Sequence, residues 1–361
     1  PFMATGGLAD VIGSLPQALA EDPNYDIRVV MPLYSGVKPE YRRKMSFLGN
    51  IFVQLAWRNQ YCGVFTCTEN GVTYYFIDNE YYFKRDALYG AFDDGERFAY
   101  FSKACLDLMS RMNFIPDVMQ CNDWQTAMVP TYLRSMYRGA FPHTRCMFTI
   151  HNIEYQGWAN ADFFDDVLAL PWDWRPRMDM GGSVNMMKGA IESADIVTTV
   201  SETYARELMY PYFAHGLDSV LGGNAWKLTG ITNGIDVKTF NPATDKALPV
   251  HYSTKSFKVG KAKCKAALQE EVGLPVKPDV PLMVMVTRLA GHKGLDLLCY
   301  IARRLMWEED AQLLILGTGE AQYETFFKDL AVQFPEQVAA KITFNLGLAA
   351  RIYAGADIYL M

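Results

Sequence analysis

The chain of 361 residues is long for a single core, and half of it is hydrophobic, which fits two packed globular domains and excludes a disordered chain. A formal net charge of −6 without any basic run argues against nucleic acid as a partner, and no apolar run approaches the ~18 residues of a membrane span. Seven cysteines, odd in number and without a C-x-x-C pair, read as reduced, buried thiols of an intracellular protein.

The chain opens PFMATGGLADVIGSLPQAL. Its apolar residues Leu8, Val11, Ile12, Leu15 and Leu19 fall at helical spacing, so a helix is predicted from Leu8. Thr5-Gly6-Gly7 then sits at a helix N-terminus, where free backbone N–H groups face outward. Two readings stay open there: a cradle for a phosphate or sugar, or a tight turn with nothing bound. Residues 26–32 read as a strand closed by proline. Residues 51–57, 61–67 and 72–77 read as a meander, with Glu69-Asn70-Gly71 as its last turn. A helical pattern over 95–112 leads to a strand at 117–120, a helix from about 124 and a strand at 145–150. A helix near 183–193, a strand at 196–200 and a helix opened by Ser201 follow.

Residues 241–280, rich in Pro and Lys, read as a connection with a basic helix over 258–271. From 281 the alternation is cleaner: PLMVMVTRL a strand, GLDLLCYIARRLM a helix, AQLLILG a strand, YETFFKDLAVQF a helix. KITFNLG is expected as the next strand, LAARIYAG as a short helix and DIYLM as the last strand. Consecutive strand–helix alternation predicts an α/β fold with doubly wound parallel sheets, whose strand C-termini line a ligand cleft. The chain begins without Met, lacks a strand before its glycine loop and stops inside a strand, so a fragment of a longer protein is expected.

Polar groups recur where strands end: Asp123, His151-Asn152, Thr232-Asn233-Gly234, Arg288 with Lys293, and Gly317-Thr318-Gly319. Any one of them is ordinary turn chemistry; together they point to a ligand site. Arg288 and Lys293 share one short loop, and two such cations suit a diphosphate, Arg gripping it bidentately and Lys acting as a point charge. The alternative is a solvated basic loop. No D-x-D tripeptide occurs, and the histidines at 143, 151, 215, 251 and 292 lack metal-ligand spacing, so no metal site is expected.

TGGLADV, GVTYYFIDNEYYF, CNDWQTA, HNIEYQG, ADIVTTVSETYA, TNGID and TRLAGHKGLD, in this order, resemble the bacterial glycogen synthase and plant starch synthase family over essentially the whole chain. The resemblance implies a GT-B fold, two Rossmann-like domains (1–243 on the acceptor side, its first strand missing, and a truncated nucleotide-sugar-binding domain, 244–361) facing across a cleft. It implies a metal-independent, retaining transferase that moves glucose from ADP-glucose, or UDP-glucose in some relatives, to an α-1,4-glucan such as glycogen. No cofactor beyond the donor substrate is implied. The setting would be cytoplasmic in a bacterium or plastidic in a plant.

Position by position, the resemblance puts Thr5, Gly6 and Gly7 on the donor-facing loop and Asp10 on the glucosyl unit. Tyr89 matches an active-site tyrosine through a looser alignment. Asp123 and His151 would contact glucose hydroxyls and the acceptor side, with Asn152 beside them. Asn233 would contact the glucosyl unit, and Arg288 and Lys293 would hold the diphosphate, while Gly317, Thr318 and Gly319 are expected to bind substrate from their place at a strand end. Three departures stand out. Ala4 replaces the usual lysine, which puts nucleotide preference in doubt. Asn122 and Gln125 replace two imidazoles of the common H-D-W-H motif. The family's catalytic glutamate lies beyond Met361, so this stretch alone is expected to be inactive. A non-catalytic glucan-binding relative is the main rival. A Rossmann oxidoreductase is weaker, since Gly317-Thr318-Gly319 lacks the third glycine of its fingerprint.

Overall fold

Helical spacing at the start of the chain produces α1 (Gly7–Leu19) in a computed structural model that describes residues 2–3, 7–112 and 114–361. Its apolar stripe is only partly covered, with Leu15 and Leu19 left exposed. The Gln17 Oε1 accepts a 3.1 Å bond from Asn70 Nδ2, which ties the helix to the Asn70-Gly71 turn. The chain divides into two compact units, Pro1–Gly234 and Ile235–Met361. The boundary read from sequence, 243/244, falls inside the second of these.

In the first unit, β1 (Arg28–Pro32), β2 (Ser46–Leu55), β3 (Arg58–Glu69) and β4 (Val72–Asp78) form a sheet in the order β1-β4-β3-β2. The predicted meander is β2–β4, antiparallel throughout, while β1 joins β4 in parallel. A second sheet contains β5 (Val118–Asn122), β6 (Arg145–Ile150), β7 (Ile196–Thr199) and β8 (Leu228–Gly230), all parallel, in the order β8-β7-β6-β5. Between these strands run α2 (Asp94–Arg111), α3 (Met128–Ser135), α4 (Met186–Ser193) and α5 (Glu202–Glu207). One core joins Phe148 and Ile150 of β6 to Tyr132 of α3, Ile191 of α4 and Val64 and Ile77 of the first sheet.

Local chemistry sets the helix starts. Ser201 accepts from Tyr204 N at 3.2 Å and opens α5 as predicted. Two expected helices begin later than the sequence pattern suggested. Residues 124–126 form a 3₁₀ turn before α3, and Ser183–Asn185 is strand before Asn185 caps α4 by accepting from Lys188 N at 2.8 Å. All seven cysteines are free, and all but Cys299 are buried.

In the second unit, α6 (Phe257–Val272) precedes β9 (Leu282–Val286), α7 (Leu295–Glu308), β10 (Gln312–Leu316), α8 (Ala321–Gln333), β11 (Val338–Lys341), α9 (Leu346–Gly355) and β12 (Ile358–Tyr359). The strands are parallel in the order β11-β10-β9-β12. Met283, Met285, Leu313 and Ile315 pack on α7 and α8, while Leu282, Val284, Leu314 and Leu316 pack on α6 and α9. Burial on both faces explains why these strands read as unbroken apolar runs. The expected strand KITFNLG is a correction. The strand is Val338–Lys341, because Asn345 accepts from Leu348 N at 2.9 Å and turns the rest into the start of α9.

This strand order has its switch between β9 and β12, the first and last strands of the unit. In open α/β sheets ligands bind beyond the strand C-termini at such a point. The loop after β9 carries Arg288 and Lys293.

Candidate active site

In-register parallel pairing brings three strand ends of the first unit to one edge. Asn122 lies opposite Thr149, and Ile150 opposite Thr199. The Thr149 and Thr198 hydroxyls meet at 2.8 Å, and Thr199 Oγ1 donates to Ile150 O at 2.8 Å, so the ends are locked together. Asp123 N continues the ladder onto Thr149 O at 2.9 Å.

Asp123 then turns sharply, at φ 56° and ψ 179°. Residues other than glycine rarely hold that conformation, at a cost of about 1–3 kcal/mol, and it persists only where surroundings enforce it. Here the enforcement is visible. Asp123 Oδ1 accepts from His151 N at 2.7 Å and from Asn152 N at 3.3 Å, so one carboxylate oxygen holds the turn that carries the histidine. The His151 ring meets Asn122 Oδ1 through Nε2 at 3.0 Å.

Burial sets the charge states. It pushes the His151 imidazole down to about 4, so the ring is neutral at pH 7. Nε2 therefore carries the proton and donates to Asn122, which leaves Nδ1 as an acceptor with no partner among the described residues. Burial pushes the Asp123 carboxyl up to about 6, partly opposed by the two N–H bonds. Stability should respond in opposite directions. His151 is held below its ordinary 6.5, so stability falls as pH drops from about 6.5 through about 4. Asp123 is held above its ordinary 3.8, so stability falls as pH rises from about 3.8 through about 6. The two slopes nearly cancel between pH 4 and 6 in the intact protein. Asp123→Asn keeps the acceptor oxygen and removes one slope. The unfolding free energy from urea titrations should then drop on acidification by on the order of 1 kcal/mol per pH unit more than in the parent. Equal slopes in variant and parent would refute the two assignments.

The motifs around this turn support one another. Gly157 sits at φ 70°, and a Cβ there would run into the Trp124 ring, so the glycine of HNIEYQG makes room for the tryptophan of NDWQ. Gln156 is buried and donates to Ile153 O and His215 O, both at 3.1 Å. Tyr204 OH accepts from Ile153 N at 3.3 Å. Reading the sequence alone missed Asn122, Gln156 and Tyr204 as supports, although all three lie in the quoted motifs.

The remaining candidates of the first unit are scattered. Thr5 and Gly6, with Ala4, lie outside the described residues. Gly7 opens α1 with nothing within 4 Å of where a Cβ would stand, and Asp10 is exposed in the first turn. Asn152 spends its Oδ1 on Glu154 N at 2.9 Å, a local turn bond. Asn233 is exposed in the loop after β8. Tyr89 is half exposed on the loop before α2.

The second unit builds its site from two loops zipped together. Leu289 N donates to Thr318 O at 2.9 Å, and Glu320 N to Leu289 O at 2.8 Å. Glu320 Oε1 accepts from Gly291 N and Glu324 Oε1 from Gly319 N, each at 3.0 Å. A Cβ on Gly317 would collide with Thr287 O, and one on Gly319 with Leu289 O. Both glycines are thus required by loop packing, whatever else they bind. Gly317→Ala should destabilise by about 2 kcal/mol or more, whereas Gly7→Ala should leave stability within about 0.5 kcal/mol. Denaturant unfolding of the two variants checks this contrast; equal effects would contradict it.

Arg288 and Lys293 are exposed on this pinned loop, and neither has a carboxylate partner among the described residues. Arg288 Nη2 approaches His292 Nε2 at 3.4 Å. Among the described residues no group of three or more His, Cys, Asp and Glu could hold a metal, and no helix is long and apolar enough to cross a membrane.

Residues 1–223 match the family described as the starch synthase catalytic domain. The glycogen synthase of Exiguobacterium sibiricum is 46% identical, with 100% of this chain and 76% of that protein covered. That of Ligilactobacillus salivarius is 45% identical with the same coverage. Among solved structures, the catalytic domain of starch synthase IV from Arabidopsis thaliana, bound to ADP and acarbose, matches with a TM-score of 0.91 at 32% identity, covering 99% of this chain and 75% of that one. The chain therefore spans about three quarters of the length of these relatives, and it belongs to the starch synthase catalytic domain family, with the GT-B fold of the glycogen and starch synthases.

Proposed function

We propose that this chain transfers glucose, with retention, from ADP-glucose to the non-reducing end of an α-1,4-glucan, glycogen being the polymer named for its bacterial relatives. The observation that carries the reading is the pair Arg288 and Lys293. Both are exposed, without carboxylate partners among the described residues, on a pinned loop at the switch point of a parallel sheet. A site built that way takes an anion, and a departing nucleoside diphosphate is the anion such a transferase must stabilise. The bound ADP of the Arabidopsis enzyme supports the same choice of nucleotide.

The second unit is then the donor side, with the loop at Gly317, Thr318 and Gly319 beside the nucleotide. The first unit supplies the sugar contacts. His151 offers Nδ1 to a glucose hydroxyl, Asp123 holds the turn that carries that ring with Asn152 beside it, and Gly7 and Asp10 belong to the glycine motif that the family resemblance assigns to donor binding. Tyr89 and Asn233 complete the set from the acceptor side and the glucosyl edge. The donor is a substrate, so no resident cofactor is needed. Bacterial relatives and free, buried thiols support a cytoplasmic setting.

ADP release by the complete protein, given ADP-glucose with and without glycogen and compared with UDP-glucose, tests the reading. Glycogen-dependent release of ADP is the expected result. Retention on glycogen without release from either donor would make this a glucan-binding protein instead.

A further inference from the structure

We propose that residues 84–93 form a preset aromatic platform for the glucan acceptor, with Phe92 and Tyr89 as its stacking faces and the Arg85–Asp93 clamp, backed by buried Arg97, positioning it. The inference rests on the glucan reading above.

Phe92 is 99% exposed and Tyr89 45%, so the fold itself uses almost none of the Phe92 ring. Isolated exposed aromatics are common and mean little. This one differs because the loop beneath it is fastened at every level. Arg85 and Asp93 close its neck with two bonds, at 2.5 and 2.6 Å, and Ser35 Oγ donates to Arg85 O at 2.5 Å. Asp94 accepts from Gly90 N at 2.6 Å and Ala91 N at 3.2 Å. Arg97, fully buried, donates Nε to Asp94 Oδ1 at 2.8 Å and Nη1 to Tyr82 O at 3.1 Å, and its Nη2 reaches Leu88 O inside the loop. A buried guanidinium cannot shed its charge, so these acceptors are obligatory and the loop closes around them.

The platform leads directly into α2, which packs against the candidate site's turn. Phe98, one residue after Arg97, meets Trp124 edge-on with ring centroids 5.2 Å apart, and Trp124 directly follows Asp123. A glucan presents C–H-lined pyranose faces that stack on aromatic rings, and a preset loop binds without an ordering cost.

Two readouts test this in the complete protein: retention in native gels containing glycogen, and steady-state kinetics. Phe92→Ala should weaken glycogen retention and raise the glycogen KM about fivefold or more, with the ADP-glucose KM and the melting temperature unchanged. Phe92→Tyr should restore both. Because replacing buried Arg97 also tests folding, the neck is probed through Arg85→Ala, which should raise the glycogen KM in the same direction. Combining it with Phe92→Ala should add nothing further. Unchanged retention in Phe92→Ala overturns the platform, and fully additive effects overturn its positioning by the clamp. Glycogen retention without ADP release in the parent would sink the transferase reading alone, since the retention comparison still decides the platform.

Discussion

Lys293→Ala should lower kcat by about 10²-fold or more, on the order of 3 kcal/mol of transition-state stabilisation, while the unfolding midpoint should barely move. The structure separates the two effects. The loop's path is fixed by backbone bonds, Leu289 N to Thr318 O and Lys293 N to Ala290 O at 3.0 Å, and by the carboxylate of Glu320. None of these uses the Lys293 side chain, which is exposed and without an ion pair among the described residues. Removing the ammonium therefore removes a charge and little else. Charge grows on the diphosphate as the glycosidic bond breaks, so a cation placed there acts more on the transition state than on the bound donor. Arg288→Ala should behave alike, and, if the proposed role holds and both cations serve one leaving group, the double variant should fall short of the sum. Steady-state kinetics beside thermal unfolding give the comparison. A variant whose KM alone rises, or whose main defect is stability, would move these residues out of the chemical step.

Much of the fold was legible because its signals are local. The unbroken apolar runs 282–286 and 313–316, the Ser201 cap and the basic helix of α6 each follow from a short stretch of sequence. What escaped depends on a local bond outcompeting a strand pattern in one case and on partners distant in the chain in the others. KITFNLG alternates well enough for a strand, but Asn345 prefers its own turn bond to Leu348 N and begins a helix there. The strand order β11-β10-β9-β12, which makes the Arg288 loop a switch point, has no short-range signature. Nor does the reason for Gly157, which only the Trp124 ring explains. Asn122 is the sharpest case. From the sequence it is a departure from a common imidazole; in the fold it is the partner of His151.

That partner shapes the second large effect. His151→Ala should cut turnover by about 10²-fold or more while glycogen is still retained. The ring is neutral, pushed down to about 4 by burial, so it cannot serve as a cation or as an acid at pH 7. Its Nε2–H is engaged by Asn122 Oδ1 at 3.0 Å, which leaves the Nδ1 lone pair as the group it can offer. A hydroxyl on a sugar gaining oxocarbenium character becomes a stronger donor, so a hydrogen bond from that hydroxyl to Nδ1 tightens as the transition state forms. No proton need be transferred. Position is then everything, and position comes from Asp123, whose Oδ1 grips His151 N at 2.7 Å. His151→Asn supplies an acceptor but at a different point, so it should recover little. Asn122→Ala keeps the ring and frees its tautomer, so the acceptor nitrogen is no longer specified, and an intermediate loss of about tenfold in kcat is expected. The order Ala at 151, then Asn at 151, then Ala at 122, from most to least damaged in kcat, with glycogen retention equal in all three, is the signature of an acceptor held in place. Near-normal turnover in His151→Ala would leave the imidazole with no task beyond filling its turn.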